Sequence, residues 1–283
     1  MMKFIPLILL LTACTERIDI RTGEATRQLF AYGYVTSDTT RHVVTISRAT
    51  AYFATTPRAG ISGAQVVIVT DSATYALAEV GEEAGVYCTD ADVAGVPGEA
   101  YELVMMLDFD GDGAPEEYRA SACMPLTSRI DSVALRHSTV FKNQVEVIGY
   151  GTLPDNEKNF MSFHLYRNGE HLTRSLEDFF VMDDTHFTSR EMNGVLCQLL
   201  DQEEEESRLV AGDTVTLRVD VLSEEYARFI REAQQELRAA NPIFGGPPAN
   251  VFTNIRCTGG DGGARVSGFF AAFPTDSKSV IYR

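Results

Sequence analysis

The sequence has no tryptophan, which removes the residue most used to stack on sugar rings but leaves 11 Tyr and 16 Phe for that task. Positive charge is scarce: 24 Lys and Arg stand against 40 Asp and Glu, a formal net charge of −16. The mean field repels phosphate backbones and anionic membrane surfaces, so nucleic acid is not an expected partner. No apolar run approaches the ~20 residues a spanning helix needs; Phe4 to Leu11 is far too short. Catalytic signatures are missing as well. There is no Gly-x-Ser-x-Gly, no Gly-x-x-x-x-Gly-Lys, no His-Glu-x-x-His and no Cys-x-x-Cys. Gly259-Gly260-Asp261-Gly262-Gly263 lacks the helix that a phosphate site requires, and Glu203 to Glu206 reads as a solvated acidic loop. Nothing here points to an enzyme.

What is present is a chain of 283 residues, 45% apolar, with room for one large domain or two ordinary ones. It begins with Lys3, an apolar run, and then Leu11-Thr12-Ala13-Cys14. A short basic start, an apolar segment and small residues before a cut make a secretory signal over 1–13. The four residues ending at Cys14 resemble a bacterial lipobox, in which that cysteine is lipidated and becomes the first residue. Its several acyl chains give a stable anchor where one would be marginal. Thr15, rather than Asp, follows the cysteine, which by analogy with bacterial sorting points to the outer membrane. The face of that membrane stays open, because no acidic cluster follows Cys14.

Cleavage removes only Lys3 among the charged residues, leaving 270 residues and a formal charge of −17. It also turns an odd cysteine count into an even one: Cys88, Cys123, Cys197 and Cys257 remain. An exported chain permits disulfides, and four cysteines allow three pairings. Cys88–Cys123 and Cys197–Cys257 are the expected bridges, each closing a loop inside one domain and adding about 3–5 kcal/mol by the chain-entropy account.

The mature chain reads as mainly β. After a lipidated linker over 14–24, short strand-like runs at 29–35, 42–47, 64–69, 74–77, 85–88, 101–107 and 118–123 predict an immunoglobulin-like or transthyretin-like β-sandwich over 25–126. Met124-Pro125 punctuates the chain, and a second β-rich domain is expected over 127–283. Its strands are expected at 130–137, 144–150, 160–166, 179–182, 194–200 and 214–221. Asn168-Gly169 predicts a tight hairpin, since both residues tolerate positive φ. One amphipathic helix is expected at about 224–240, capped by Ser223, with Tyr226, Phe229, Ile230, Ala233 and Leu237 as its apolar stripe. The Gly- and Pro-rich stretch from Ile243 to Gly268 predicts a long loop.

Several segments together carry a resemblance. They include Leu29 to Thr36, Val44 to Ala49, Ile61 to Val66, Glu83 to Tyr87, Gly98 to Leu103 and Met124-Pro125. Asn241 to Phe244, Pro248 to Ile255 and Gly268 to Ala272 continue the order. With the lipobox, this order resembles the Bacteroidetes lipoprotein family named domain of unknown function 4249, over nearly the whole mature chain. The resemblance implies an accessory or ligand-binding partner of a TonB-dependent outer-membrane receptor, and no catalytic residues. The other reading is a structural or adhesive envelope lipoprotein, calcium-stabilised.

Two local candidates follow. Asp108, Asp110 and Asp112, with Gly111 and Gly113, open like a calcium loop, because alternate hard carboxylate oxygens suit that ion. The twelfth position is Arg119 instead of Glu, so Glu116 or Glu117 would have to close the shell; otherwise the loop is a solvated hairpin tip. Of five histidines, His164 lies in an apolar strand and reads as a core residue. His171 and His186 lie near Glu177, Asp178, Asp183 and Asp184 in sequence only.

Overall fold

The computed structural model describes residues 28–48, 59–81, 83–89, 93–109, 111–156, 158–239, 251–259 and 265–283. The expected signal, linker and Cys14 lie outside these. The fold is mainly β with one long helix. Seven strands form first: β1 (Gln28–Thr36), β2 (Val43–Arg48), β3 (Gln65–Val69), β4 (Thr74–Glu79), β5 (Val86–Cys88), β6 (Ala100–Leu107) and β7 (Glu116–Cys123). Next come β8 (Arg129–His137), β9 (Gln144–Thr152), β10 (Phe160–Arg167), β11 (Glu170–His171), β12 (Phe180–Asp183), β13 (Glu191–Asp201) and β14 (Thr214–Leu222). Helix α1 (Glu224–Ala239) follows, then β15 (Arg256–Cys257), β16 (Arg265–Phe273) and β17 (Thr275–Ile281).

One nine-stranded sheet runs β15-β7-β6-β3-β4-β5-β2-β1-β16. Strand β4 turns its corner, pairing Val66↔Leu77 with β3 but Ala78↔Cys88 with β5. The sheet rolls until its two ends meet, and Asn254 staples them. Its amide Nδ2 donates to the carbonyl of Ser121 on β7 and to that of Phe270 on β16, at 3.0 and 2.8 Å. Its Oδ1 accepts the Phe270 N–H at 3.0 Å. Leu29, Val44, Ile46, Ile68, Leu103, Met105 and Phe270 fill the interior.

Strand β16 was expected to be loop as far as Gly268, and its half of the chain to belong to the second domain. Instead it lies parallel to β1, Gln28↔Arg265 through Thr36↔Phe273, inside the first sheet. Gly268 makes that pairing possible. Its φ is +98°, and a Cβ there would lie 1.9 Å from the carbonyl oxygen of Ala31. Beyond it, side chains alternate: Phe270 and Ala272 enter the rolled interior, while Phe269, Ala271 and Phe273 pack under the helix. A strand buried on both faces reads as one apolar run, and its flanking glycines hide it from a period-two search.

The second half packs a three-stranded sheet, β13-β9-β8, against a five-stranded one, β11-β10-β14-β17 with β12 beside β10. Met161, Phe163, Leu165, Val147, Leu217 and Val219 make its core. The Asn168-Gly169 turn has φ of 51° and 84° and pairs Arg167 with Glu170, as a type I′ hairpin requires.

Helix α1 closes the joint between the halves. Ser223 Oγ accepts the Tyr226 N–H at 3.2 Å, and Glu224 and Glu225 sit at the positive end. Tyr226, Ala227, Phe229 and Ile230 are buried against Phe269 and Phe273 from the first sheet and Phe160 and Leu222 from the second. The stripe ends early, because Leu237 is exposed. Gln234 is buried instead, donating to the carbonyls of Leu176 and Phe179 at 2.9 and 2.7 Å. Among the described residues no helix is long and apolar enough to cross a membrane.

Candidate functional site

Strands β10 and β14 pair antiparallel with Ser162 opposite Asp220 and His164 opposite Arg218. Opposed residues share a face, and successive residues alternate. One face therefore carries Met161, Phe163 and Leu165 with Leu217, Val219 and Val221, all at most 1% exposed. The other face carries Ser162, His164 and Tyr166 with Arg218 and Asp220. On that polar face Ser162, His164 and Asp220 are buried and Tyr166 and Arg218 half-buried, because Tyr32 and Tyr34 of β1, Phe273 of β16 and Tyr226 of α1 cover it. The walls do not close completely and leave a cavity of about 150 Å³.

Its floor is an ion pair. Arg218 Nε donates to Asp220 Oδ1 at 2.7 Å, and Arg218 Nη1 lies 3.3 Å from Asp38 Oδ2 at the rim. Asp220 is 4% exposed. Burial raises its carboxyl to about 6, and Arg218 limits the rise. His164 Nε2 lies 3.1 Å from Ser162 Oγ and 3.4 Å from Asp220 Oδ2. Burial lowers its imidazole to about 4, and the Arg218 charge adds to the effect, so the ring is neutral at pH 7. Above it the hydroxyls of Tyr32 and Tyr226 share a hydrogen bond of 2.7 Å, with burial raising Tyr32 to about 12. Tyr34, 40% exposed, stands at the mouth with its ring 5.3 Å from that of Phe273.

Serine, histidine and aspartate meet here, yet not as a proton relay. A relay needs the nucleophile at one imidazole nitrogen and the carboxylate at the other. In this site Ser162 and Asp220 both address Nε2, while Nδ1 faces Thr173 Oγ1 at 3.4 Å. The arrangement offers hydrogen-bond donors and acceptors beside aromatic rings.

The residues singled out in the sequence lie elsewhere. Asp110 falls outside the described residues. Asp108 accepts the backbone N–H of Gly111, Asp112 and Gly113 at 2.6, 3.2 and 2.9 Å, and Asp112 accepts that of Ala114 at 2.8 Å. Glu116 is engaged by the Phe109 N–H at 2.9 Å. These carboxylates hold the turn themselves. Among the described residues no group of three or more His, Cys, Asp or Glu is placed to hold a metal ion.

The expected disulfides are corrected: Cys88, Cys123, Cys197 and Cys257 are all free. Three strands separate β5, which carries Cys88, from β7, which carries Cys123. Cys197 is buried in the second core, whereas Cys257 pairs opposite Tyr118 in the first sheet, because the chain after the helix returns there. Burial pushes the Cys197 thiol up to about 12.

Among the histidines, His164 is buried as expected but lines the cavity instead of the apolar core, and His171 stacks on Tyr166 at 4.6 Å. Sequence reasoning missed Arg218 and Asp220. Their signal was a charged pair at period two inside an apolar strand, matched by Ser162, His164 and Tyr166 in another. Only the strand register brings the two sets together.

No curated protein matches the chain. Residues 15–279 match the sequence model of the family described as Domain of unknown function (DUF4249), and the chain belongs to that family.

Proposed function

We propose that the protein is an outer-membrane lipoprotein, anchored through Cys14, that acts as an accessory or ligand-binding partner of a TonB-dependent transporter and is not an enzyme. The observation that carries the reading is the cavity at the joint of the two halves. It is lined by paired polar groups and aromatic rings, and its one Ser-His-Asp cluster has both partners on a single imidazole nitrogen. The lipobox at Leu11 to Cys14 and the low basic content support anchoring by lipid instead of by charge.

The finer fold reading belongs here as well. The rolled sheet is taken as a relative of immunoglobulin-like or transthyretin-like sandwiches, with β4 as the corner strand that switches partners. What supports it is the antiparallel pairing of all neighbours except β1 and β16.

Extraction of the tagged full chain in mild detergent tests the role. A β-barrel receptor should come with it, and Cys14→Ser should move the protein to the soluble fraction. Recovery of the lipidated protein with no barrel overturns the partnership.

A further inference from the structure

We propose that the cavity walled by β1, β10, β14 and α1 binds a neutral, hydroxylated six-membered ring, such as one sugar unit. The inference rests on the ligand-binding part of the proposed function and needs neither the anchor nor the transporter.

Size is the first argument. A space of about 150 Å³ accommodates a single six-membered ring and little more. Charge is the second. Arg218 is flanked by Asp220 and Asp38, so an anion meets two carboxylates and a cation meets a guanidinium. An anion would enter a confined site of net negative charge, and a cation would compete with Arg218 for carboxylates the guanidinium already engages. His164, neutral at pH 7, does not change that balance.

A hydroxyl group suits the same surface. It donates and accepts at once, and the Arg218–Asp220 pair sets a fixed donor beside a fixed acceptor. Ser162, Tyr166 and the Tyr32–Tyr226 pair add further hydroxyls around the wall.

The third argument is the aromatic mouth. Tyr34 is half out of the protein, edge-on to Tyr32 at 6.1 Å and tilted on Phe273 at 5.3 Å. An exposed ring held at a cavity entrance offers a flat apolar face to the C–H side of a sugar. In a chain without tryptophan, tyrosine and phenylalanine are left for that contact, and the mouth carries one of each, Tyr34 and Phe273.

The test is calorimetry on the full chain in an amine-oxide detergent, whose headgroup is not a sugar. Three ring-sized probes are compared: glucose, cyclohexanecarboxylate and cyclohexylammonium. Glucose should bind saturably, with the two charged probes at least about tenfold weaker. Tyr34→Ala should weaken glucose about tenfold in protein that still unfolds cooperatively. Tyr166→Phe keeps the ring, removes one hydroxyl, and should weaken it about fivefold. Tightest binding by a charged probe overturns the ligand class but leaves a binding site. Absence of binding by all three overturns the inference; the ligand-binding reading falls with it only if the detergent extract also lacks a β-barrel receptor. Glucose binding that neither substitution alters places it elsewhere and overturns the site.

Discussion

The two faces of the β10–β14 pair are both covered, the inner one completely and the outer one with Tyr166 and Arg218 half-buried, and they are built on opposite principles. The inner face is Met161, Phe163, Leu165, Leu217 and Val219, closed against the three-stranded sheet. Every methylene there is removed from water at about 25 cal/mol per Å² of apolar area, with no polar group to satisfy. The outer face is Ser162, His164, Tyr166, Arg218 and Asp220, closed by β1, β16 and α1. Burying those groups costs desolvation that their mutual hydrogen bonds return only in part. One face stabilises the fold. The other is kept polar at some expense to stability, a cost that the proposed binding role would explain.

The comparison can be broken by substitution. Phe163→Ala, on a side chain with 0% exposure, should cost about 4 kcal/mol in urea unfolding by opening a void. A loss near 1 kcal/mol would mean the inner face is loosely packed. On the outer face Asp220→Ala should cost about 3 kcal/mol, because Arg218 loses its closest partner. The double variant Arg218→Met with Asp220→Leu should recover most of that loss while abolishing ligand binding. If the double variant is as unstable as the single one, the ion pair is structural and the contrast between the faces fails. Smaller again is the helix that roofs the cavity: Ser223→Ala should remove about 1 kcal/mol through the lost cap.

The smallest effect is in pH. The unfolded chain protonates His164 near 6.5, but the folded chain only near 4, so this group removes stability as pH falls through that window. Asp220 acts oppositely. Its folded value near 6 lies above its ordinary 3.8, so stability rises as pH falls from 6 towards 4. The two act in opposite directions, so the wild type should show less slope from this site than either group alone would give. Asp220→Asn should unmask the histidine, giving stability that falls between pH 6.5 and 4 in urea titrations at several pH values. A variant with an unchanged slope would show that His164 is not held neutral by burial.

Much of the local structure was legible in the sequence. The Asn168-Gly169 turn follows from residues that accept positive φ, and helix α1 from Ser223, its acidic first turn and its apolar stripe. Pairings over long distances were not legible. Strand β16 joins β1 across more than 230 residues in parallel, and no period or turn signal encodes that choice. The same hidden return separates Cys197 from Cys257 and defeats the expected bridge. The site was half legible: His164 reads from the sequence as a buried residue of an apolar strand, but nothing there singles out Arg218 and Asp220. Their burial depends on Tyr32, Tyr34 and Phe273 arriving from the other half of the molecule.

A crystal structure grown with glucose tests the central claim most directly. The account predicts one ring in the cavity, with hydroxyls on Arg218 and Asp220 and its apolar face against Tyr34. Glucose seated elsewhere, with this cavity filled by ordered water alone, would contradict it.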